Sequence, residues 1–167
     1  MIALPKALLL TALQLALLMA LGGKLLLDRA TRPRCWVRAA PVDPDLPIRG
    51  RYVQLRAELP LAGSPRTART PAYAQVRLVL DGQTLKAEPA ERPTAVGAIL
   101  RPAGAQGSWV ADLQEPLAFF LPEHVPDPSR RAPGEELWVE VTLPRQGPLR
   151  PIRLAVKRDG VLTAISH

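Results

Sequence analysis

The sequence predicts a small all-β domain, an antiparallel sandwich or barrel, preceded by one N-terminal transmembrane helix. Three observations predict it. An uncharged run rich in Leu and Ala fills Ala7–Gly23. All prolines except Pro5 lie beyond that run. The remainder shows brief apolar alternations with a period of two, cut by Pro and Gly, and no later stretch of about a dozen residues keeps a helical period.

Composition narrows the field. At 167 residues there is room for one domain and a short appendage. The single cysteine, Cys35, cannot form an intrachain disulfide. Cys35, His124 and His167 are the whole supply of Cys and His, too few for a structural zinc site, so no metal and no cofactor is expected. A hydrophobic fraction of 47% argues against a disordered chain.

The N-terminal run is bracketed by Lys6 and Lys24. If Lys24 snorkels, Leu25, Leu26 and Leu27 extend the span to Ala7–Leu27. Those residues cover roughly 31 Å at 1.5 Å each, about one hydrocarbon core. Three readings compete. A signal anchor fits the length and composition. A cleaved signal peptide fits the short basic start and the small-x-small Ala20-Leu21-Gly22, but three leucines just past that point argue against removal. A buried helix of a soluble protein suffers because the run is apolar on all sides. The expected layout is therefore a signal anchor over 1–27, a basic linker over 28–33 and a β domain over 34–167. Orientation is open on charge alone: Lys24, Arg29, Arg32, Arg34 and Arg38 follow the span, and the positive-inside rule would hold the C-terminal part in the cytoplasm.

The clearest strands alternate. In Tyr52–Leu59, Val53, Leu55, Ala57 and Leu59 share the face expected to be buried. In Leu137–Leu143, Leu137, Val139, Val141 and Leu143 point inward, opposite Trp138, Glu140 and Thr142. This pattern gives a sheet with one buried and one wet face. Asp81-Gly82 is expected to join Ala74–Leu80 to Gln83–Glu88 in a hairpin. Asp159-Gly160 is expected to join Ile152–Arg158 to Val161–Ile165, since Asp-Gly suits a two-residue turn with positive φ. Further strands are expected at Cys35–Ala39, Thr94–Leu100, Trp109–Leu113 and Leu117–Leu121, eight or nine in all. Pro60–Pro71 and Pro122–Gly134 read as loops.

The most distinctive segment runs from Pro41 to Leu55. Its prolines fix φ, Asp43 can accept turn amide bonds, and Gly50 frees the backbone just before strand pairing begins. It reads either as a structural corner or as a binding edge built on Arg49, Gly50, Arg51, Tyr52 and Leu55.

This stretch resembles the GDYXXLXY-motif family. Gly50, Tyr52 and Leu55 match, as does the lead-in Val42-Asp43-Pro44. Arg51 stands where the family has Asp, and Ala57 where it has the final Tyr. The later Phe119-Phe120-Leu121-Pro122-Glu123 resembles the family's aromatic-x-Pro-Glu element. The resemblance implies a membrane-anchored bacterial protein with an exported domain, of a kind often found beside multi-pass membrane proteins. It transfers no catalytic residue, and Arg51 removes any role for an acidic side chain at that position.

Catalysis finds little support. A nucleophile needs a base in reach, oriented by a third group. His124 lies in a Pro-rich loop and His167 at the terminus. Ser64, Ser108, Ser129 and Ser166 lie in no Gly-x-Ser-x-Gly, and neither Lys86 nor Lys157 has a nearby Ser. Glu135-Glu136 reads as surface charge, and Cys35 as a small buried thiol. The arginines are scattered without aromatic interleaving, so no nucleic-acid partner is expected. The function expected is a non-enzymatic module at the cell membrane, single-pass, with its domain on the periplasmic side. Its partners would be the lipid bilayer and a multi-pass membrane protein. A hydrolase with a site near Gly50–Tyr52, or a binder of anionic lipid or nucleic acid, are the alternatives.

Overall fold

The structure, a computed structural model, describes residues 3–42, 52–63, 65, 71–90, 96–104, 107–121, 127, 128, 130–144 and 147–165. The chain divides into two compact units, Met1–Pro33 and Arg34–His167.

The first unit is one helix, α1 (Ala3–Thr31). Leu and Ala lose little side-chain entropy in a helix, and no proline interrupts the run between Pro5 and Pro33. α1 continues past Leu27 into the stretch expected as linker, for a local reason. Asp28 and Arg32 pair one turn apart at 3.2 Å, and the Thr31 hydroxyl donates to the Leu27 carbonyl at 2.7 Å. Pro33 then disfavours helical geometry at the residue before it. From Leu8 to Leu18 the leucines are 57% to 73% exposed. α1 is thus long and apolar enough to cross a membrane, and it shows apolar surface all round.

The second unit is all-β, with ten described strands rather than eight or nine. They are β1 (Arg34–Pro41), β2 (Tyr52–Pro60), β3 (Ala72–Asp81), β4 (Thr84–Pro89), β5 (Val96–Ala103), β6 (Ser108–Leu113), β7 (Leu117–Phe120), β8 (Glu136–Thr142), β9 (Arg150–Arg158) and β10 (Val161–Ala164). Six of them close a barrel in the order β1-β4-β3-β5-β6-β2, because β2 also pairs with β1. β8, β9 and β10 continue outward from β1, and β7 flanks β2.

The closure has a seam. Five antiparallel ladders around the ring would set β1 and β4 antiparallel. Their one register pair, Trp36 with Thr84, is parallel, so the strands cross there instead of running alongside. Just past β2, Leu61 bridges Ala87 of β4 and the Ala62 amide donates to the Ala87 carbonyl at 2.8 Å, which finishes the ring.

The core follows the period-two phase. Val53, Leu55, Ala57 and Leu59 of β2 all point inward and are buried. Ala57, Ala87, Ala98 and Ala111, from four strands of the ring, are fully buried. A six-stranded barrel is narrow, and small side chains suit its interior. Ala57, the position where the resembled motif carries Tyr, is one of these.

Two further expectations need correction. The first hairpin turns at Gly82-Gln83, not Asp81-Gly82, since Asp81 still pairs with Thr84. Gly82 has φ +63 while Asp81 keeps an ordinary angle, so the glycine sits at the first central position. In β8 the expected wet face is not wet: Glu140 and Thr142 are buried. The β1–β8 register runs unbroken, so both residues keep the outward phase. Arg153 of β9 covers Glu140 and donates to it at 2.7 Å, and the extra residue of the register shift, Ile152, lies on β9. The second hairpin turns at Asp159-Gly160 as expected, with φ +50 and +82, the two positive angles of a type I′ turn.

Candidate functional site

A groove of about 310 Å³ lies along the seam. β1, β2 and β4 converge there, and Val37, Leu59, Pro60, Thr84 and Leu85 form part of its lining. Trp36 and Trp138 also line it, together with Arg38, Glu58, Arg101 and Glu136.

Strand register explains why these side chains meet. Arg38 of β1 stands opposite Glu58 of β2 and opposite Trp138 of β8. Glu58 in turn stands opposite Asp112 of β6. One rank of outward residues therefore reads Asp112, Glu58, Arg38, Trp138 across four neighbouring strands. Trp36, two residues from Arg38, lies on the same outward face.

The charges form a chain. Arg101 Nε donates to Asp112 Oδ2 at 2.7 Å, and Arg101 Nη2 donates to Glu58 Oε1 at 2.7 Å. Arg38 lies 3.3 Å from Glu58 and 3.5 Å from Glu136. The Asp112 hydrogen bond, reinforced by the charges of Asp112 and Glu58, pushes the Arg101 pKa up against partial burial. Trp138 Nε1 donates to Glu136 Oε2 at 3.1 Å. A cation stands over each indole: Arg153 is 5.3 Å from the Trp36 ring and Lys157 is 4.9 Å from that of Trp138.

A second, more open depression of about 500 Å³ adjoins the first, sharing Arg38 and Glu136 with it and adding Lys157 and the turn at Asp159-Gly160. Arg38 is the hinge of the two. Its side chain is 54% exposed and held at ion-pair distances longer than those of Arg101, so its guanidinium keeps donor capacity for a ligand.

Of the site residues singled out in the sequence, Tyr52 and Leu55 are described, and neither lines the groove. Arg49, Gly50 and Arg51 fall outside the described residues, as do His124 and His167. Tyr52 is exposed and packs edge-on against Phe120, with ring centroids 5.4 Å apart. It sits six residues along β2 from Glu58, about 20 Å at strand spacing. Leu55 is fully buried, so it packs the core and offers a ligand no surface. Cys35 is buried, as expected. Burial and, after it, the Glu140 charge push its pKa up to about 11. Glu135 pairs with Arg158, and Glu136 with Arg38.

Sequence reasoning missed the groove. The signal was present as two outward-phase triplets, Arg34-x-Trp36-x-Arg38 and Glu136-x-Trp138-x-Glu140, each an indole flanked by charge. Nothing short of the β1–β8 register joins them, since about a hundred residues separate them in the chain.

Among the described residues no group of three or more His, Cys, Asp or Glu side chains could hold a metal ion. The groove offers flat aromatic walls, guanidinium donors and carboxylate acceptors, with a net charge near zero. That arrangement suits recognition of a mixed polar and apolar surface. Comparison with protein-family models, curated proteins and solved structures gave no match.

Proposed function

We propose that this chain is a single-pass, membrane-tethered β-barrel module that binds a multi-pass membrane protein through the groove at Arg38. The observation that carries the reading is the half-buried pair Trp36 and Trp138 on either side of that arginine. Trp and Arg dominate binding energy where proteins meet, because they bury much area and still hydrogen-bond. The apolar circumference of α1 supports the tether, as a surface of that kind is stable in lipid and costly in water.

The resemblance to the GDYXXLXY-motif family belongs to this proposal, and so does placement of the body on the exported side. One structural fact supports the resemblance. Its two stretches are neighbours in space, with Tyr52 opposite Phe120 and Val53 opposite Phe119 in the β2–β7 ladder.

The test is affinity isolation of the detergent-solubilised chain, compared with the double variant Trp138→Ala, Arg38→Glu. The expected result is a multi-pass protein that co-purifies with the parent chain and is lost from the variant. Repeated recovery of the parent chain alone would count against the module reading. A topology reporter fused after His167 checks orientation, and activity on the cytoplasmic side would overturn export.

A further inference from the structure

We propose that α1 pairs with α1 of a second copy of this chain, through the stripe that carries Thr11 and Gln14. The inference rests on the membrane reading above. Gln14 lies well inside the apolar run and is exposed on the helix. Its amide has two donor hydrogens and an acceptor oxygen, and among the described residues none of them has a partner. The nearby Thr11 hydroxyl is satisfied within the helix, donating to the Ala7 carbonyl at 3.0 Å. In hydrocarbon no water completes the Gln14 amide, so a neighbouring helix must.

The residues around Gln14 favour close approach. Ala7, Thr11, Gln14, Leu18 and Gly22 recur at helical spacing and share one face. Glycine inside a helix costs about 1 kcal/mol against alanine. A side-chain carbon added at Gly22 would meet nothing within 4 Å, so packing inside the chain does not require the glycine. A helix docked against this face would.

The occupant follows from hydrogen-bond complementarity. An amide is both donor and acceptor, so two Gln14 side chains satisfy each other across a two-fold axis. A foreign helix would need a matching polar group at the same depth, whereas a second copy supplies one by symmetry.

The experiment uses the full chain in phosphatidylcholine–phosphatidylglycerol vesicles, labelled with donor or acceptor dyes, at a series of protein-to-lipid ratios. Energy transfer is read for the parent chain, for Gln14→Leu, and for Leu9→Ala on the opposite face. Transfer should rise with protein density in the parent and in Leu9→Ala. Gln14→Leu should associate about three- to thirty-fold less tightly, the range of one interhelical polar contact. Because leucine is more apolar than glutamine, that loss would not reflect poorer insertion. Parent protein that resists alkaline extraction yet shows no transfer, or Gln14→Leu that pairs as well as the parent, overturns self-association and leaves the tether standing. Parent protein extracted from the vesicles overturns both.

Discussion

Glu58 and Asp112 face each other directly across the β2–β6 ladder, and Arg101 binds both carboxylates at 2.7 Å. Like charges in opposed positions destabilise a sheet. Here the guanidinium, two positions along β5 from the partner of Asp112, turns repulsion into a three-member clamp. Asp112 is 7% exposed although it stands on the outward phase of β6, and one of its oxygens, Oδ1, has no hydrogen-bond partner among the described residues.

The clamp predicts that Arg101→Leu destabilises the body by about 1–3 kcal/mol, less than a fully buried pair would cost because Arg101 is partly exposed. Adding Asp112→Asn to that variant should recover part of the loss, since one of the two facing charges is gone. Urea unfolding of the single and double variants checks this. Equal stability of the two would show that the carboxylates do not repel through the ladder.

The Cys35 thiol predicts a window of alkaline sensitivity. Its pKa is raised from 9.0 to about 11, so the folded state holds the proton more tightly than the unfolded chain. The resulting stabilisation is fully present below about pH 9 and is lost as pH rises through about 11, on the order of 2–3 kcal/mol in all. The stability difference between the parent and Cys35→Ala should therefore shrink across that interval. At pH 8 a thiol reagent should leave the folded protein unmodified and label it in denaturant. Rapid labelling of the native protein would place the thiol outside the core.

The body's strands were legible in the sequence because its β2 alternation is strict: Val53, Leu55, Ala57 and Leu59 mark one face without exception, and register does not change which face that is. A barrel was one of the two architectures expected, but the choice of barrel over sandwich was not legible. Closure depends on a crossing of β1 and β4 at one pair, Trp36 with Thr84, which leaves no periodic trace. Glu140 misled for a different reason. A charged residue on an outward phase reads as solvated, yet Arg153, its partner on the neighbouring strand, covers it. The groove was hidden because it is a product of register between distant strands, whereas the Gly50–Leu55 corner drew attention through local backbone chemistry. Of that corner the structure describes Tyr52 to Leu55 alone, and those residues serve an aromatic contact and the core.

The last hairpin makes a local prediction. Gly160 has φ +82, an angle that is strained for a β-branched side chain, while no atom would meet its added carbon. Gly160→Val should therefore cost about 1–2 kcal/mol through the backbone alone. All four residues of β10 are exposed, so the loss should appear as fraying of β10 rather than global unfolding. Amide exchange in Val161–Ala164 should accelerate while that of β2 stays slow. Unchanged exchange in β10 would refute the role given to the turn.

Arg153 carries two tasks, and the last prediction separates them. Its Nε donates to Glu140 Oε2 at 2.7 Å, and its guanidinium lies 5.3 Å over the Trp36 ring. Register makes this possible: Glu140 stands between Trp36 on β1 and Arg153 on β9. Glu140 is 7% exposed, so losing its partner strands a buried carboxylate. Arg153→Ala should cost about 2–3 kcal/mol, most of it from that charge. Arg153→Lys keeps the charge but loses the planar fork, and should cost about 1 kcal/mol. Lys157→Ala, which removes a cation from Trp138 without stranding a buried carboxylate, should cost less than about 1 kcal/mol. A double-mutant cycle between Arg153→Ala and Glu140→Gln reads the coupling directly. A coupling near zero, with Arg153→Ala no worse than Lys157→Ala, would mean that Glu140 is solvated and that the indole is the arginine's whole contact.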